Sequence, residues 1–304
     1  MPSLHRLSAN AAHLPGGRHG RARGGSGSGG VPVNPYKGAL GELNKAVFGR
    51  PGTGNAAIAA FVGAGGKTSS LFALARYRAS LGARVLVSTT TRILDPEAGS
   101  GRQGRGFGPV LRLGDLSDPW SLEAIRAAGP RLVLGASEPF RAAEAQKGEG
   151  PKLYGIDPLC FAALRELFDS VLIEADGARG LSIKAPAAHE PVIPPLATAV
   201  VGLVGLDALG APMDARIVHR PELFGPLVGC ATGAPITIEH VARLAAAPQG
   251  LFKGAPMGAA RIILLNKAEL LAPYDAELCA STLRASAAAD AVILGSFGAE
   301  EGMA

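Results

Sequence analysis

Short apolar runs alternate along the chain with segments whose apolar residues recur at helical spacing. Residues 68–81 place Leu71, Leu74 and Leu81 on one helical face and stop at Gly82, the residue expected just beyond a helix C-terminus. Residues 39–48 predict another short helix. The apolar runs lie at 57–62, 84–87, 110–113, 131–134, 171–173, 199–204, 261–265 and 291–294. Such a pattern predicts an α/β fold, a mainly parallel sheet with helices on both faces.

The remaining segments set the domain limits. Residues 97–109 and 146–152 are glycine-rich or charged, which predicts surface loops. Residues 1–35 are rich in Gly, Ser and Arg and too poor in apolar side chains to order themselves, so we expect a disordered basic tail before a single domain at 36–304. The five basic residues ahead of Glu42 equal the net charge of +5. The chain from Glu42 onwards is therefore neutral, and no nucleic-acid partner is expected.

Composition also indicates the cellular compartment in which the protein is expected. The three cysteines are far apart and form no Cys-x-x-Cys pair, which argues against a disulfide framework or a cysteine zinc site. No apolar run is long enough to span a membrane, and the N-terminus lacks the apolar segment of a secretory signal. The sequence predicts a soluble, cytoplasmic protein without a membrane partner.

A glycine-rich segment follows the first predicted strand and opens the helix after it. Its residues are Gly63, Ala64, Gly65, Gly66, Lys67, Thr68 and Ser69. In a phosphate loop the backbone amides surround phosphate oxygens, the lysine reaches the β- and γ-phosphates, and the threonine hydroxyl binds Mg²⁺. The form Gly-x-x-Gly-Lys-Thr resembles the phosphate loop of Mur-type ATP-dependent ligases. A dinucleotide-binding turn or a plain glycine turn is the alternative, but neither needs Lys-Thr at the helix start.

Two carboxylates, Glu174 and Asp176, close the apolar run at 171–173. An acid at the end of a buried strand beside a phosphate loop is typical of a Walker B site, where it holds Mg²⁺, usually through water. We take Asp176 as the first choice for the metal together with Thr68. Glu174 is the alternative metal acid, or the residue that polarises an attacking water.

Two further segments carry candidate residues. Thr90 and Thr91, in the run after the second strand, have hydroxyls that suit Mg²⁺ or a γ-phosphate, although threonine is also common in strands. Residues 179–194 are proline-rich, which predicts a rigid loop rather than a helix or a central strand. Lys184, His189 and Glu190 on this loop are candidates to face the γ-phosphate or a second substrate, and a surface His-Glu pair is the alternative for the last two.

The apolar run at 261–265 is closed by Asn266, Lys267 and, two residues later, Glu269. This looks like the base-reading Asn-Lys-x-Asp element of GTP-binding proteins, in which one carboxylate accepts two adjacent N–H donors of guanine. Glu269 is one methylene longer than the usual aspartate, so both ATP and GTP stay open as the nucleotide.

The ordered set of motifs resembles the YqeC family of accessory proteins of selenium-dependent molybdenum hydroxylases. The segments that carry the resemblance are 62–68, 88–91, 173–177, 184–186, 189–194, 219–220 and 265–267. The resemblance implies a P-loop NTPase-like fold and a role in maturing a selenium- and molybdenum-containing cofactor, with a molybdenum hydroxylase or its maturation proteins as partners.

The sequence thus predicts a Mg²⁺-dependent protein that binds a nucleoside triphosphate and acts as an NTPase or kinase, with Lys67, Glu174, Asp176, Lys184 and His189 as catalytic candidates. One alternative is a non-catalytic nucleotide switch that docks a partner enzyme. Another is an ATP-dependent ligase with a Mur-like phosphate loop. A hydride-transferring oxidoreductase fits least well.

Overall fold

The computed structural model describes residues 38–49, 57–97, 104–114, 119–137 and 152–298. Within them the helices are α1 Ala39–Phe48, α2 Lys67–Ser80, α3 Pro119–Ala127, α4 Phe161–Leu164, α5 Pro221–Val228, α6 Ile238–Ala246 and α7 Pro273–Ala285. The strands are β1 Ala57–Gly63, β2 Val85–Thr89, β3 Arg92–Leu94, β4 Val110–Leu113, β5 Arg131–Ala136, β6 Lys152–Tyr154, β7 Ser170–Glu174, β8 Ile183–Lys184, β9 Ala199–Gly205, β10 Val218–His219, β11 Ala260–Asn266 and β12 Ala291–Leu294.

One large sheet organises the described residues, in the order β12-β11-β9-β1-β7-β2-β5-β6-β3, with β4 also paired to β5. Every pairing from β12 to β5 is parallel, as is that of β4 with β5. Strand β6 runs antiparallel to β5 and β3 at the opposite edge from β12. A separate two-stranded parallel sheet joins β8 to β10.

The central strands are apolar throughout because both of their faces are covered. In β1, Ile58, Ala60 and Val62 belong to one buried cluster, whereas Ala59 and Phe61 belong to the other. The second cluster includes residues of α1 and α2, and the first includes residues of α3 to α7. Successive side chains of a strand point to opposite faces, so this alternation places one helical layer on each side of the sheet.

The carboxyl ends of the middle strands meet along one edge. Gly63 at the end of β1 is level with Leu203 of β9, and Asn266 at the end of β11 is level with Gly205. On the other side of β1, Phe61 is paired with Glu174 of β7. In an open parallel sheet the ligand site lies beyond the carboxyl ends of the strands, so this edge is where a site is expected.

The structure confirms the eight predicted strands, the two predicted helices and the α/β fold class. Four short strands, β3, β6, β8 and β10, were not predicted. The small strand β8 lies inside the predicted loop 179–194, because its two residues find a parallel partner in β10. Two to three residues give too short a pattern to be recognised from sequence.

The prediction that residues 97–109 form a surface loop is wrong for part of this segment. Phe107 is 1% exposed and packs edge-on against Phe72 of α2, with ring centroids 5.8 Å apart. The predicted tail and nearly all of the predicted loop 146–152 lie outside the described residues. No helix in the described ranges is long and apolar enough to cross a membrane.

Candidate functional site

The glycine loop, residues 63–68, connects β1 to α2 and requires glycine at three positions. Gly63, Gly65 and Gly66 have φ angles of 88°, 95° and 109°, in the region that favours glycine. A Cβ on Gly65 would lie 2.2 Å from the backbone nitrogen of Gly205, which is closer than any side chain tolerates. The loop is therefore held tightly against the end of β9.

The amides of the loop divide into two groups. Those of Gly63, Ala64 and Gly65 donate to the Asp176 carboxylate, the Leu203 carbonyl and the Leu181 carbonyl, respectively. The first hydrogen bond of α2 runs from the Ser70 amide to the Gly66 carbonyl at 3.0 Å. The amides of residues 67–69 precede that bond and have no acceptor within the helix, as at any helix N-terminus. The anion-attracting end of the loop is therefore the start of α2, which also carries the positive end of the helix dipole.

Lys67 is buried and turned back over the glycine loop. Its Nζ donates to the Gly63 carbonyl at 2.6 Å and forms an ion pair with Asp176 Oδ1 at 3.1 Å. Asp176 Oδ2 accepts from the Gly63 amide at 3.1 Å and pairs with Lys184 Nζ at 2.9 Å. The three charged side chains are at most 3% exposed. One carboxylate thus holds two buried ammonium groups beside the loop.

The charge network continues into the segment at 179–194. Lys184 Nζ also donates to the Gly177 carbonyl at 2.7 Å and to Glu190 Oε2 at 2.8 Å, and Arg220 Nη1 donates to the same Glu190 oxygen at 2.7 Å. Burial alone would raise the pKa of Glu190, but Lys184 and Arg220 lower it to about 2. Glu190 is therefore ionised throughout the physiological range. His189 next to it is exposed.

His219 stands on β10 directly beside Lys184 on β8. Its Nδ1 is buried without a hydrogen-bond partner. Burial lowers its pKa to about 4, with further lowering by the cations Arg220 and Lys184. The imidazole is therefore neutral at pH 7.

Thr68 and Glu174 form the second polar pair of the site. The Thr68 hydroxyl donates to Glu174 Oε2 at 2.8 Å, and burial raises the pKa of Glu174 against the lowering effects of Lys67 and Thr68. Mg²⁺ prefers hard oxygen ligands and usually takes only one or two from the protein, keeping several waters. The hydroxyl and the carboxylate of this pair are oxygen donors of that type, so their chemistry fits Mg²⁺. The described residues contain no cluster of three His, Cys, Asp or Glu side chains that would hold a metal by themselves.

The hydroxyls of the threonine run at the end of β2 differ in whether they have a hydrogen-bond partner. The Thr89 hydroxyl donates to the Glu174 carbonyl at 2.8 Å, and that of Thr90 donates to the Val192 carbonyl at 2.6 Å. The Thr91 hydroxyl is buried and has no hydrogen-bond partner. Thr90 therefore ties β2 to the segment at 179–194, whereas Thr91 retains an unused polar group.

The Asn-Lys-x-Glu element reaches the glycine loop through its asparagine. Asn266 is 1% exposed, and its Nδ2 donates to the Gly65 carbonyl at 2.9 Å while its Oδ1 accepts from the Phe297 amide at 2.8 Å. Lys267 Nζ donates to Asp207 Oδ2 at 2.7 Å and to the Ser182 hydroxyl at 3.0 Å. Glu269 is exposed in the short 3₁₀ turn Ala268–Leu270. Asparagine and lysine are thus fixed, and the acidic residue is free to meet a ligand from solvent.

Sequence reasoning brought Lys67, Thr68, Glu174, Asp176 and Lys184 to one site, but it missed three residues of the polar network: Ser182, Asp207 and Arg220. Asp207 could have been found from the sequence, because it lies three residues after the apolar run at 199–204 that becomes β9, and polar residues that close parallel strands are site candidates. Ser182 follows no predicted strand. Arg220 follows none either, and although it lies in segment 219–220, which carries the family resemblance, that resemblance gave it no role.

The parallel sheet, the glycine loop between its central strand and the next helix, and the acid at the end of the adjacent strand define an α/β protein of P-loop NTPase-like fold. The family model described as YqeC protein matches residues 59–222. The protein named "Uncharacterized protein YqeC" from Escherichia coli (strain K12) is 35% identical over 212 residues, which cover 69% of this chain and 75% of that protein. The chain belongs to the YqeC family.

Two solved structures are similar at low identity. Chloroplast FtsY from Physcomitrella patens has 16% identity and a TM-score of 0.27, and FtsY from Mycoplasma mycoides has 15% identity and a TM-score of 0.28. Each match covers 84% of this chain but only 57% and 59%, respectively, of the FtsY chains.

Proposed function

We propose that this protein binds a nucleoside triphosphate with Mg²⁺ at the glycine loop and hydrolyses or transfers the terminal phosphoryl group. The observation that carries the proposal is the buried pair of Lys67 and Lys184 on one carboxylate, Asp176, beside the start of α2. Lys67, Lys184 and Arg220 are matched by the carboxylates Asp176, Glu190 and Glu174, so the added attraction for an anion comes from the free amides and the positive dipole end at the start of α2. A polyphosphate bound there would compete with Asp176 for Lys67.

The roles of the two acids follow from their partners. Both oxygens of Asp176 face ammonium groups, so this carboxylate positions Lys67 and Lys184. Glu174 shares a hydrogen bond with the Thr68 hydroxyl, and its raised pKa reflects a buried negative charge that a cation would stabilise. We therefore assign the metal to Thr68 and Glu174 rather than to Thr68 and Asp176. Bound Mg²⁺ would neutralise phosphate charge that develops during phosphoryl transfer.

The chain's own contribution to the reaction is positioning and charge. The amides at the start of α2 fix the phosphates, and Lys67 exchanges its contact with the Gly63 carbonyl for a phosphate oxygen. Lys184 stays anchored by Glu190 and Gly177 and adds positive charge from the other side of Asp176. Preorganised charges of this kind act without reorganising during the reaction, which is the main source of catalysis in phosphoryl transfer.

A nucleotide switch is the second candidate. The hydrogen bond from Thr90 to the Val192 carbonyl joins the threonine run to the segment at 179–194, so a nucleotide that moved one would move the other. Slow hydrolysis that accelerates on addition of a partner enzyme would favour this candidate. The role in maturation of a selenium- and molybdenum-containing hydroxylase rests on the family resemblance alone.

Nucleotide binding and phosphate release test the proposal together. Wild-type protein and Lys67→Ala are titrated with ATP and GTP in the presence of Mg²⁺, with Lys45→Ala, an exposed lysine on α1, as the matched control. Loss of charged hydrogen bonds to phosphate predicts about 100-fold weaker binding for Lys67→Ala and none of this loss for Lys45→Ala. Unchanged affinity in a folded Lys67→Ala protein would overturn the proposal.

Three further variants test the assignments of the metal and of the nucleotide base. Glu174→Gln is expected to raise the Mg²⁺ concentration needed for phosphate release more than Asp176→Asn does; the reverse order would return the metal to Asp176. Glu269→Ala is expected to reduce a preference for GTP if that carboxylate reads guanine. A preference for ATP that does not respond to Glu269→Ala would make 266–269 a structural turn.

A further inference from the structure

The strand order fixes what lies between the glycine loop and the Asn-Lys element. Strand β9 separates β1, which ends in the glycine loop, from β11, which ends at Asn266. Neighbouring strands lie about 4.8 Å apart, so β1 and β11 are separated by about 10 Å. A nucleotide with phosphates on the glycine loop and its base at the end of β11 must place its ribose over the end of β9.

The first acidic residue after β9 is Asp207, in the 3₁₀ turn Leu206–Ala208. Its Oδ2 accepts from Lys267 Nζ and from the Ser182 hydroxyl, both at 2.7 Å. Its Oδ1 is buried and accepts no hydrogen bond. The carboxylate is thus fixed through one oxygen while the other is unused.

The position of Oδ1 depends on a glycine. A Cβ on Gly205 would lie 2.4 Å from Asp207 Oδ1, so only glycine leaves that space to the carboxylate oxygen. Gly205 in turn packs against Gly65 of the glycine loop. The unused oxygen is therefore held next to the loop, at the strand end that the ribose would cover.

A buried carboxylate oxygen without a donor is destabilising, and a ligand that stabilises it must donate a hydrogen bond. Phosphate oxygens are acceptors and would be repelled. Ribose hydroxyls are donors, and carboxylates at parallel strand ends accept them in dinucleotide-binding folds.

We propose that Asp207 accepts a hydrogen bond from a ribose hydroxyl of the nucleotide and makes the site selective for ribonucleotides over deoxyribonucleotides. This inference rests on the proposed function, because it needs phosphates at the glycine loop. It assigns to Lys267 and Ser182 the role of orienting the carboxylate.

Calorimetric titration of the full chain with Mg²⁺ and ATP, GTP and their 2′-deoxy and 3′-deoxy forms tests it. In wild-type protein one of the two deoxy forms is expected to bind about tenfold more weakly than the ribonucleotide. In Asp207→Ala the ratio of the two affinities is expected to fall to about one, whatever happens to affinity in general. A purely structural role of Asp207 would weaken ribo and deoxy forms equally and leave the ratio unchanged, which would overturn the inference.

Glu222→Ala, which removes an exposed carboxylate on α5, is the control and is expected to retain the wild-type ratio. Ser182→Ala removes one of the two hydrogen bonds that orient the carboxylate through Oδ2, and it is expected to lower the ratio less than Asp207→Ala does. Equal binding of ribo and deoxy forms by wild-type protein would contradict the ribose assignment and leave the proposed function standing. The same holds if Asp207→Ala changes the ratio of ATP to GTP affinity but not the ratio of ribo to deoxy affinity. Binding of none of the nucleotides by folded wild-type protein removes both.

Discussion

Replacing Lys184 by methionine tests whether the buried charge network beside the glycine loop stabilises the fold. The substitution keeps the approximate length of the side chain and removes an ammonium group that is 1% exposed. That group contacts Asp176 Oδ2 at 2.9 Å, Glu190 Oε2 at 2.8 Å and the Gly177 carbonyl at 2.7 Å. All three acceptors lose a charged donor in the variant.

The expected magnitude follows from what each acceptor retains. Leaving a buried charge without its partner costs about 3–5 kcal/mol. Asp176 keeps Lys67 and Glu190 keeps Arg220, so neither carboxylate is left without a cation. We therefore expect the lower end of that range, a loss of about 3 kcal/mol in the free energy of unfolding.

Urea unfolding followed by circular dichroism at pH 7 measures this loss. Lys45→Met on the exposed face of α1 is the control, and it is expected to change stability by less than about 0.5 kcal/mol. Adding Glu190→Gln to Lys184→Met is expected to cost less than Glu190→Gln alone, because the two residues share one ion pair. A loss below about 1 kcal/mol for Lys184→Met, the size of a surface pair, would refute the reasoning.

Three further outcomes are expected. Acidification from pH 6.5 towards 4 should reduce the free energy of unfolding, because the pKa of His219 is lowered to about 4 in the folded protein and the unfolded chain therefore binds the proton first. In His219→Asn the urea midpoint should depend less on pH over this window. An equal dependence in the variant and the wild-type protein would contradict the pKa assigned to His219. Gly65→Ala should prevent folding or lower the free energy of unfolding by more than about 3 kcal/mol, because its Cβ would meet β9. Gly82 has a similar φ of 84° but open space around it, so Gly82→Ala should cost only about 1 kcal/mol. Equal losses would mean that backbone strain, and not the contact with β9, determines the cost at Gly65. Asn266→Ala should lower the free energy of unfolding measured in urea by about 2–4 kcal/mol, because it leaves the Gly65 carbonyl and the Phe297 amide unpaired. An unchanged stability would show that the glycine loop does not depend on these hydrogen bonds.

The network around Asp176 also bears on how the site responds to a ligand. Lys67 is held by Asp176 and the Gly63 carbonyl, so a phosphate at the start of α2 competes with groups of the protein itself for this ammonium. Lys184 has the additional anchors Glu190 and Gly177 and is less free to leave. The two lysines are therefore expected to differ in function. Lys67 moves its ammonium group to the bound phosphate, whereas Lys184 provides a fixed positive charge.

Local pattern determined the framework of this protein. Each central strand is a continuous apolar run because both faces of the sheet are covered, and α2 carries apolar residues at helical spacing and stops just before Gly82. The glycine loop was equally visible, since Gly-x-x-Gly-Lys-Thr joins a strand to a helix in a few consecutive residues. The candidate acids Glu174 and Asp176 and the amide of Asn266 were found because polar residues that close parallel strands meet at one edge.

Tertiary structure alone decided which of these groups touch. Thr68 donates to Glu174 across 106 residues of chain, and Asn266 braces Gly65 across 201. No local pattern encodes such partners, because they depend on the order and register of strands in the sheet. The same order put Asp207 between the glycine loop and Asn266, and the pairing of β8 with β10 placed His219 beside Lys184. The sequence thus determined the elements and their chemistry, whereas the arrangement of the site came from packing between distant segments.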